Sequence, residues 1–404
     1  INGTDGMLGM LCLAIHDLRE LLVVADIAAA MSVEGLLGTD DVFAADLHAL
    51  RPQPGQAVSA ANIRKIMADS AIRASHDVEE CPRVQDAYSL RCSPQVAGGV
   101  RDTVDHAARV AGWELASAVD NPVVTLEGRV ESNGNFHGAP VAYALDFLAI
   151  VAADLASISE RRTDRFLDKA RNHGLPPFLA DDPGVDSGHM IAQYTQAAIV
   201  SELKRLASPA SVDSIPSSAM QEDHVSMGWS AARKLRRSVD GLARVLAVEV
   251  LTASRGLQLR APLTPAPATG AVVEALLAAD ASRPGTDRWL APEIDTAYRL
   301  VVDGTVVAVG TSQIAVVGLA TRFPGDMIKA LQANAGGVAV RISVVGRPGD
   351  VRVGQDDRRV DDRYDHSSPD DGELCNVDAK LSRHQAGRTG GSYRPTAVVS
   401  ACRS

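Results

Sequence analysis

Between residues 141 and 172 the chain keeps one apolar face without interruption. Leu145, Leu148, Ala152, Leu155 and Ile158 recur at helical spacing, and charge gathers at the far end in Glu160, Arg161, Arg162, Asp164 and Arg165. At ~1.5 Å per residue such a helix spans roughly 50 Å. A stripe that long is buried best against other long helices or other subunits. The rest of the chain offers the partners. Apolar periodicity predicts long helices over 7–37, 187–206 and 225–260, and shorter ones over 59–74, 98–118, 269–279 and 292–302. Gly38 ends the first, and Ser59 is placed to cap the next. Arg51-Pro52-Gln53-Pro54-Gly55, Asp120-Asn121-Pro122, Gly174-Leu175-Pro176-Pro177 and the prolines at 262, 265 and 267 read as breaks. Residues 123–126 and Gly128 suggest a small strand and turn, and 133–135 another turn. The chain is 46% hydrophobic but only 4% aromatic, which suits helix packing better than a β-sandwich. The expected fold is all-α, a long-helix bundle that self-associates.

A net charge of −10 argues against a nucleic-acid surface. The five cysteines are odd in number, widely spaced and without a Cys-x-x-Cys pair, which fits a reduced cytoplasmic protein. The apolar stretch 21–31 is short and contains Asp26, so it reads as a buried helix and no membrane partner is expected.

The most unusual polar stretch runs from Ser214 to Gly228 and holds Glu222, Asp223 and His224 in a row. Pro216 stops a helix arriving from upstream, and Ser217 and Ser218 are good helix-start residues. Glu222 and its neighbours are therefore expected near the start of the 225–260 helix. One reading is an electrostatic cap favoured by the helix dipole; the other is a functional site. Consecutive helix positions point about 100° apart, and no His-Glu-x-x-His occurs, so no metal site is expected.

Several motifs favour the functional reading. Gln221-Glu222-Asp223-His224-Val225-Ser226-Met227 is accompanied by Ile1-Asn2-Gly3-Thr4, Tyr88-Ser89-Leu90-Arg91-Cys92, Asp120-Asn121-Pro122, Gly134-Asn135-Phe136-His137-Gly138 and Ile158-Ser159-Glu160-Arg161-Arg162. Gly174-Leu175-Pro176-Pro177-Phe178-Leu179 and Ala210-Ser211-Val212-Asp213-Ser214 continue the series. In order and interval these resemble the aromatic amino-acid lyase family, and within it the histidine ammonia-lyases, over roughly residues 1–307. The resemblance implies a homotetramer that converts L-histidine to urocanate and ammonia. It implies as electrophile a protein-derived 4-methylidene-imidazol-5-one, formed from Ala-Ser-Gly. No Ala-Ser-Gly occurs in this chain, so the chain is expected to be inactive alone, an N-terminally truncated body.

The resemblance also assigns roles. Arg91 is the carboxylate clamp, since its planar fork suits a carboxylate. Tyr88 supports the electrophile and relays a proton. Asn2 hydrogen-bonds the electrophile's carbonyl. Gln85 is a polar pocket residue and Phe136 packs beside the substrate. Glu222 faces the imidazole, where phenylalanine enzymes of the family carry glutamine. A carboxylate can pair with an imidazole N–H and is costly beside a bare phenyl ring. Met220 departs from the family, which often has asparagine there. Two alternatives stand beside this reading: a tyrosine or phenylalanine ammonia-lyase or aminomutase, and a non-catalytic helical oligomerisation body from a truncated gene.

Residues 308–404 read as an extension foreign to the family. Residues 314–325 resemble the opening of a polyketide ketosynthase domain without its catalytic parts. From about residue 346 the composition is rich in Arg, Asp, Gly and Ser without an apolar period, and disorder is expected. A fused gene that drifts out of frame would produce such a tail; a genuine mixed-charge tail is the alternative.

Overall fold

The computed structural model describes residues 3–76 and 84–312, and the backbone of four three-residue strands beyond them. Asn2 lies outside the described residues, as do the 314–325 stretch and, apart from those strands, the tail expected to be disordered. The strands pair antiparallel, Ile342–Val344 with Val351–Val353 and Ala379–Leu381 with Ala397–Val399.

The described body is all-α. Its helices are α1 (Asp5–Gly35), α2 (Ala45–Ala49), α3 (Pro54–Ile66), α4 (Ala71–Ala74), α5 (Tyr88–Arg91), α6 (Ser93–Leu115), α7 (Ala139–Leu167), α8 (Met190–Leu206), α9 (Gly228–Gln258), α10 (Pro267–Ala278), α11 (Ala291–Val302) and α12 (Thr305–Gly310). A two-stranded hairpin, β1 (Val123–Val124) with β2 (Val130–Glu131), stands between α6 and α7. Helix α12 packs onto the body through buried Val306, Val307 and Gly310.

Two sets of close approaches fix how α1, α7 and α9 run. At one end a Cβ on Gly138 or Gly228 would lie 2.6 or 2.4 Å from Sδ of Met7, so the two glycines let the methionine side chain lie between them. At the other end Phe166 fills the space beside Gly35 and Gly256. The N-termini of α1, α7 and α9 therefore share one end of the bundle and their C-termini share the other. Helix α6 runs the opposite way: Thr4 Oγ1 donates to Glu114 at 2.6 Å near its C-terminus, while Ser93 at its start meets Arg162 near the end of α7. The core between them is small and aliphatic, with Ala, Val, Leu and Ile almost throughout. Helix α7 is long and apolar enough to cross a membrane, but most of it is buried against α1, α6, α8 and α9.

The structure corrects several helix limits. Ser59 does not cap a helix. It is buried within α3 and accepts from Arg101 Nε at 3.0 Å. The helix begins instead at Pro54, whose missing N–H costs nothing in the first turn. It also ends early, because Asp69 turns left-handed (φ 62°) and Ser70 caps α4 afresh, accepting from Arg73 N at 2.9 Å. Helix α7 stops at Leu167, short of residue 172. Asp168 is extended, its Oδ1 accepts from Ala170 N at 2.9 Å, and buried Asn172 Nδ2 donates to the freed Phe166 carbonyl at 3.0 Å.

Candidate active site

The Tyr88–Arg91 turn sits at the C-terminal end of the bundle. Ala87 is extended, and the turn closes through Arg91 N to Ala87 O at 3.0 Å and Cys92 N to Tyr88 O at 2.9 Å. Asp86 ties it to the end of α1 by accepting from Thr39 N at 2.8 Å. Arg91 donates from Nε to Asp86 O at 2.9 Å and from Nη2 to Gln85 Oε1 at 2.7 Å. Its guanidinium carbon lies 4.7 Å from the centroid of the Tyr88 ring, a cation–π contact. Gln85, Tyr88 and Arg91 thus form one cluster. Tyr88 is 72% exposed, so the cluster faces outward.

The second cluster sits at the N-terminal end. Here the expectation that Glu222 stands near the start of the long helix, as its electrostatic cap, is not met. Helix α9 starts only at Gly228, and its N-cap Met227 makes no side-chain cap. Residues 217–222 close on themselves instead. Ser217 N donates to Glu222 O at 2.9 Å, and Ser217 Oγ to Glu222 Oε2 at 2.5 Å. Between them Ser218, Ala219 and Met220 all turn left-handed, with φ of 50°, 54° and 69°. Side chains with a Cβ rarely adopt that conformation, and such strain gathers at functional sites. The hydroxyls of Ser217 and then Ser218 hold the exposed Glu222 carboxyl below the usual carboxylate range. The positive ends of α7 and α9 lie on the same side of the molecule.

Phe136 stands in the loop before α7. His137 and His224 stack with ring centroids 5.7 Å apart and planes 10° apart, and His137 Nε2 donates to His224 O at 3.1 Å. The structure therefore joins the Phe136 loop to the Glu222 loop through a histidine pair that the sequence reading missed. The available signal was that each histidine stood inside a motif already singled out; no spacing rule links residues this far apart.

The two clusters do not meet within one chain. Gly38, at the end of α1, lies against Asp86, and Met7, near its start, lies against Gly138 and Gly228. At ~1.5 Å per residue, α1 holds them about 45 Å apart. Among the described residues no group of His, Cys, Asp and Glu is arranged to hold a metal ion.

The family model for aromatic amino acid lyase matches residues 1–278. The chain belongs to the aromatic amino acid lyase family. It is 69% identical over 310 residues to the histidine ammonia-lyase of Streptomyces griseus, covering 76% of this chain and 60% of that relative. It is 67% identical over 312 residues to that of Streptomyces coelicolor, covering 77% and 61%. The chain thus spans about three fifths of the length of these curated lyases. Among solved lyase folds, Trypanosoma cruzi histidine ammonia-lyase aligns with a TM-score of 0.72 at 37% identity, over 81% of this chain and 61% of that one. Streptomyces globisporus tyrosine aminomutase aligns with a TM-score of 0.73 at 34% identity, over 78% and 63%.

Proposed function

We propose that the chain supplies much of the active-site wall of a cytoplasmic histidine ammonia-lyase, which eliminates ammonia from L-histidine to give urocanate. The observation that carries this is the Glu222 carboxyl, held below its usual range on a strained loop that the His137–His224 pair joins to the loop carrying Phe136. That carboxylate can accept a hydrogen bond from the imidazole N–H and orient the ring; the bare phenyl ring of phenylalanine has no donor to offer it. Its high identity to Streptomyces histidine ammonia-lyases supports the same substrate. Arg91 holds the amino-acid carboxylate through its fork, with Nη1 having no hydrogen-bond partner among the described residues. The Tyr88 hydroxyl exchanges a proton beside it.

One amino acid is far too small to touch both clusters of a single chain. The reading therefore requires that Arg91 and Tyr88 of one copy face Glu222 and Phe136 of another, in a self-associated lyase, a homotetramer. Exposed apolar side chains are available for this: Tyr143, Phe147 and Ile150 on α7, spaced for one helix face, and Ile191 and Tyr194 on α8.

The electrophile of such a lyase activates the amine as leaving group. This chain's residues do not fit the forming of 4-methylidene-imidazol-5-one, since none of its 404 residues belongs to an Ala-Ser-Gly tripeptide. The proposal is tested by following urocanate absorbance. The chain alone gives no urocanate from L-histidine. Joined to the part of the Streptomyces griseus lyase that lies outside the match, it does. A joined protein that assembles yet turns over tyrosine or phenylalanine in preference to histidine overturns the substrate assignment.

A further inference from the structure

Beneath the Tyr88–Arg91 turn lies a polar network that the roles above leave unused. Arg162 on α7 is the largest fully buried side chain of the described body, 1% exposed. Its Nε and Nη2 donate to the two oxygens of Glu249 on α9, at 2.5 and 2.8 Å. Ser32 on α1 donates to the same carboxylate at 2.7 Å and Ser159 on α7 at 2.6 Å. Glu249 is thus held from α1 and α7, and it holds one edge of the guanidinium in place. The free edge is then fixed in direction. Arg162 Nη1 donates at 3.2 Å to the carbonyl of Ser89, the residue after Tyr88, and at 3.2 Å to Ser93 Oγ. Ser93 Oγ donates in turn to the same Ser89 carbonyl at 3.0 Å.

A buried ion pair is weak support for stability, because an apolar pair of equal volume packs as well without the desolvation cost. What an apolar pair cannot do is aim a donor. A planar fork clamped on one edge presents its other N–H groups in one direction only. Here that direction is the backbone of the turn whose side chains point out to the substrate. We propose that Arg162 and Glu249 are positioning residues: they set, from inside the bundle, the placement of Tyr88 and Arg91. The inference rests on the reading that Tyr88 and Arg91 serve the lyase reaction.

The first measurement needs no activity. Amide exchange in the 404-residue chain is followed for Leu90, Arg91 and Cys92, whose N–H groups close the turn. Arg162→Lys keeps the buried charge but cannot clamp Glu249 and reach Ser89 together. It should speed exchange at these amides by about ten- to a hundredfold, the worth of a charge-assisted hydrogen bond, while α10 keeps its protection. Ser93→Ala, a gentler change that leaves the ion pair whole, should act in the same direction. Exchange that rises equally in α10 and in the turn means a merely structural role and overturns the proposal, as does an unchanged turn in Ser93→Ala and Arg162→Lys alike.

The second measurement uses the joined lyase. Arg162→Lys should raise KM for L-histidine through a displaced Arg91 and lower kcat through a displaced Tyr88, with assembly intact. Unchanged kinetics alongside a loosened turn overturns the positioning role. Arg91→Ala is the control that separates the two readings. If it too leaves turnover intact, the assignment of the turn to the reaction has failed, whatever Arg162 does.

Discussion

Ser217, and then Ser218, hold the Glu222 carboxyl below its usual range, and the proposed function makes that charge the feature that tells an imidazole from a phenyl ring. In the joined lyase, Glu222→Gln should lower kcat/KM for L-histidine by about ten- to a hundredfold, the order expected for one charged contact, and far more than Glu222→Asp does. Arg91→Ala should weaken every amino-acid substrate alike, since the carboxylate is common to all. Steady-state kinetics on histidine and phenylalanine separate the two effects; a Glu222→Gln lyase with unchanged histidine turnover would leave the carboxylate without a role. Met220 tests the same loop differently. It sits at φ 69°, where asparagine is among the least penalised residues and methionine is not. Met220→Asn should stabilise the chain by roughly 0.5–1 kcal/mol in urea denaturation. A loss of stability would show that the methionine side chain holds the loop by packing. The residue types here were legible, but their setting was not. Two serines before an acidic pair look like a helix start, and nothing in the sequence says that Ser217 gives its hydroxyl to Glu222 and leaves the helix uncapped.

The elements were legible wherever one apolar stripe ran long. The helices expected over 141–172 and 225–260 are α7 and α9; α7 stops early, where Asp168 turns extended and Asn172 bonds the freed Phe166 carbonyl, and α9 is a few residues shorter at each end. The breaks failed where proline began a helix, as at Pro54. One junction carries a pH dependence that no periodicity discloses. His189, at the start of α8, is 6% exposed and meets Thr252 Oγ1 on α9 at 3.1 Å through Nδ1. Burial first, and then the nearby Arg255 guanidinium, push its pKa down from 6.5 to about 4. A histidine depressed in the folded state binds its proton more readily when unfolded. Its stabilising effect is present above pH 6.5 and is lost as pH falls towards 4. The loss amounts to at most about 3 kcal/mol. Urea midpoints should therefore drop between pH 7 and pH 4.5, and His189→Gln should flatten that drop. Equal slopes for both proteins would rule His189 out as the cause.

At the scale of the whole molecule, the bundle leaves Tyr143, Phe147 and Ile150 of α7 at 58%, 46% and 43% exposure, more apolar surface along one helix than a solitary chain ordinarily shows. The body should self-associate, and light scattering on the purified chain should give a mass well above 42.5 kDa. A monodisperse monomer counts against it. What the sequence did not disclose is how its motifs are arranged in space. Tyr88 and Glu222 follow one another in a single ordered series of motifs, yet α1, α7 and α9 run parallel and carry the two to opposite ends. That arrangement has a genetic consequence. If every catalytic centre takes one end from each of two copies, a lesion at one end and a lesion at the other do not fall on the same centre by necessity. Two impaired alleles of the joined lyase, Arg91→Ala and Glu222→Gln, should then partly rescue one another when expressed together. With random mixing, about a quarter of the centres in the mixed oligomers draw both ends intact. Either allele alone has none.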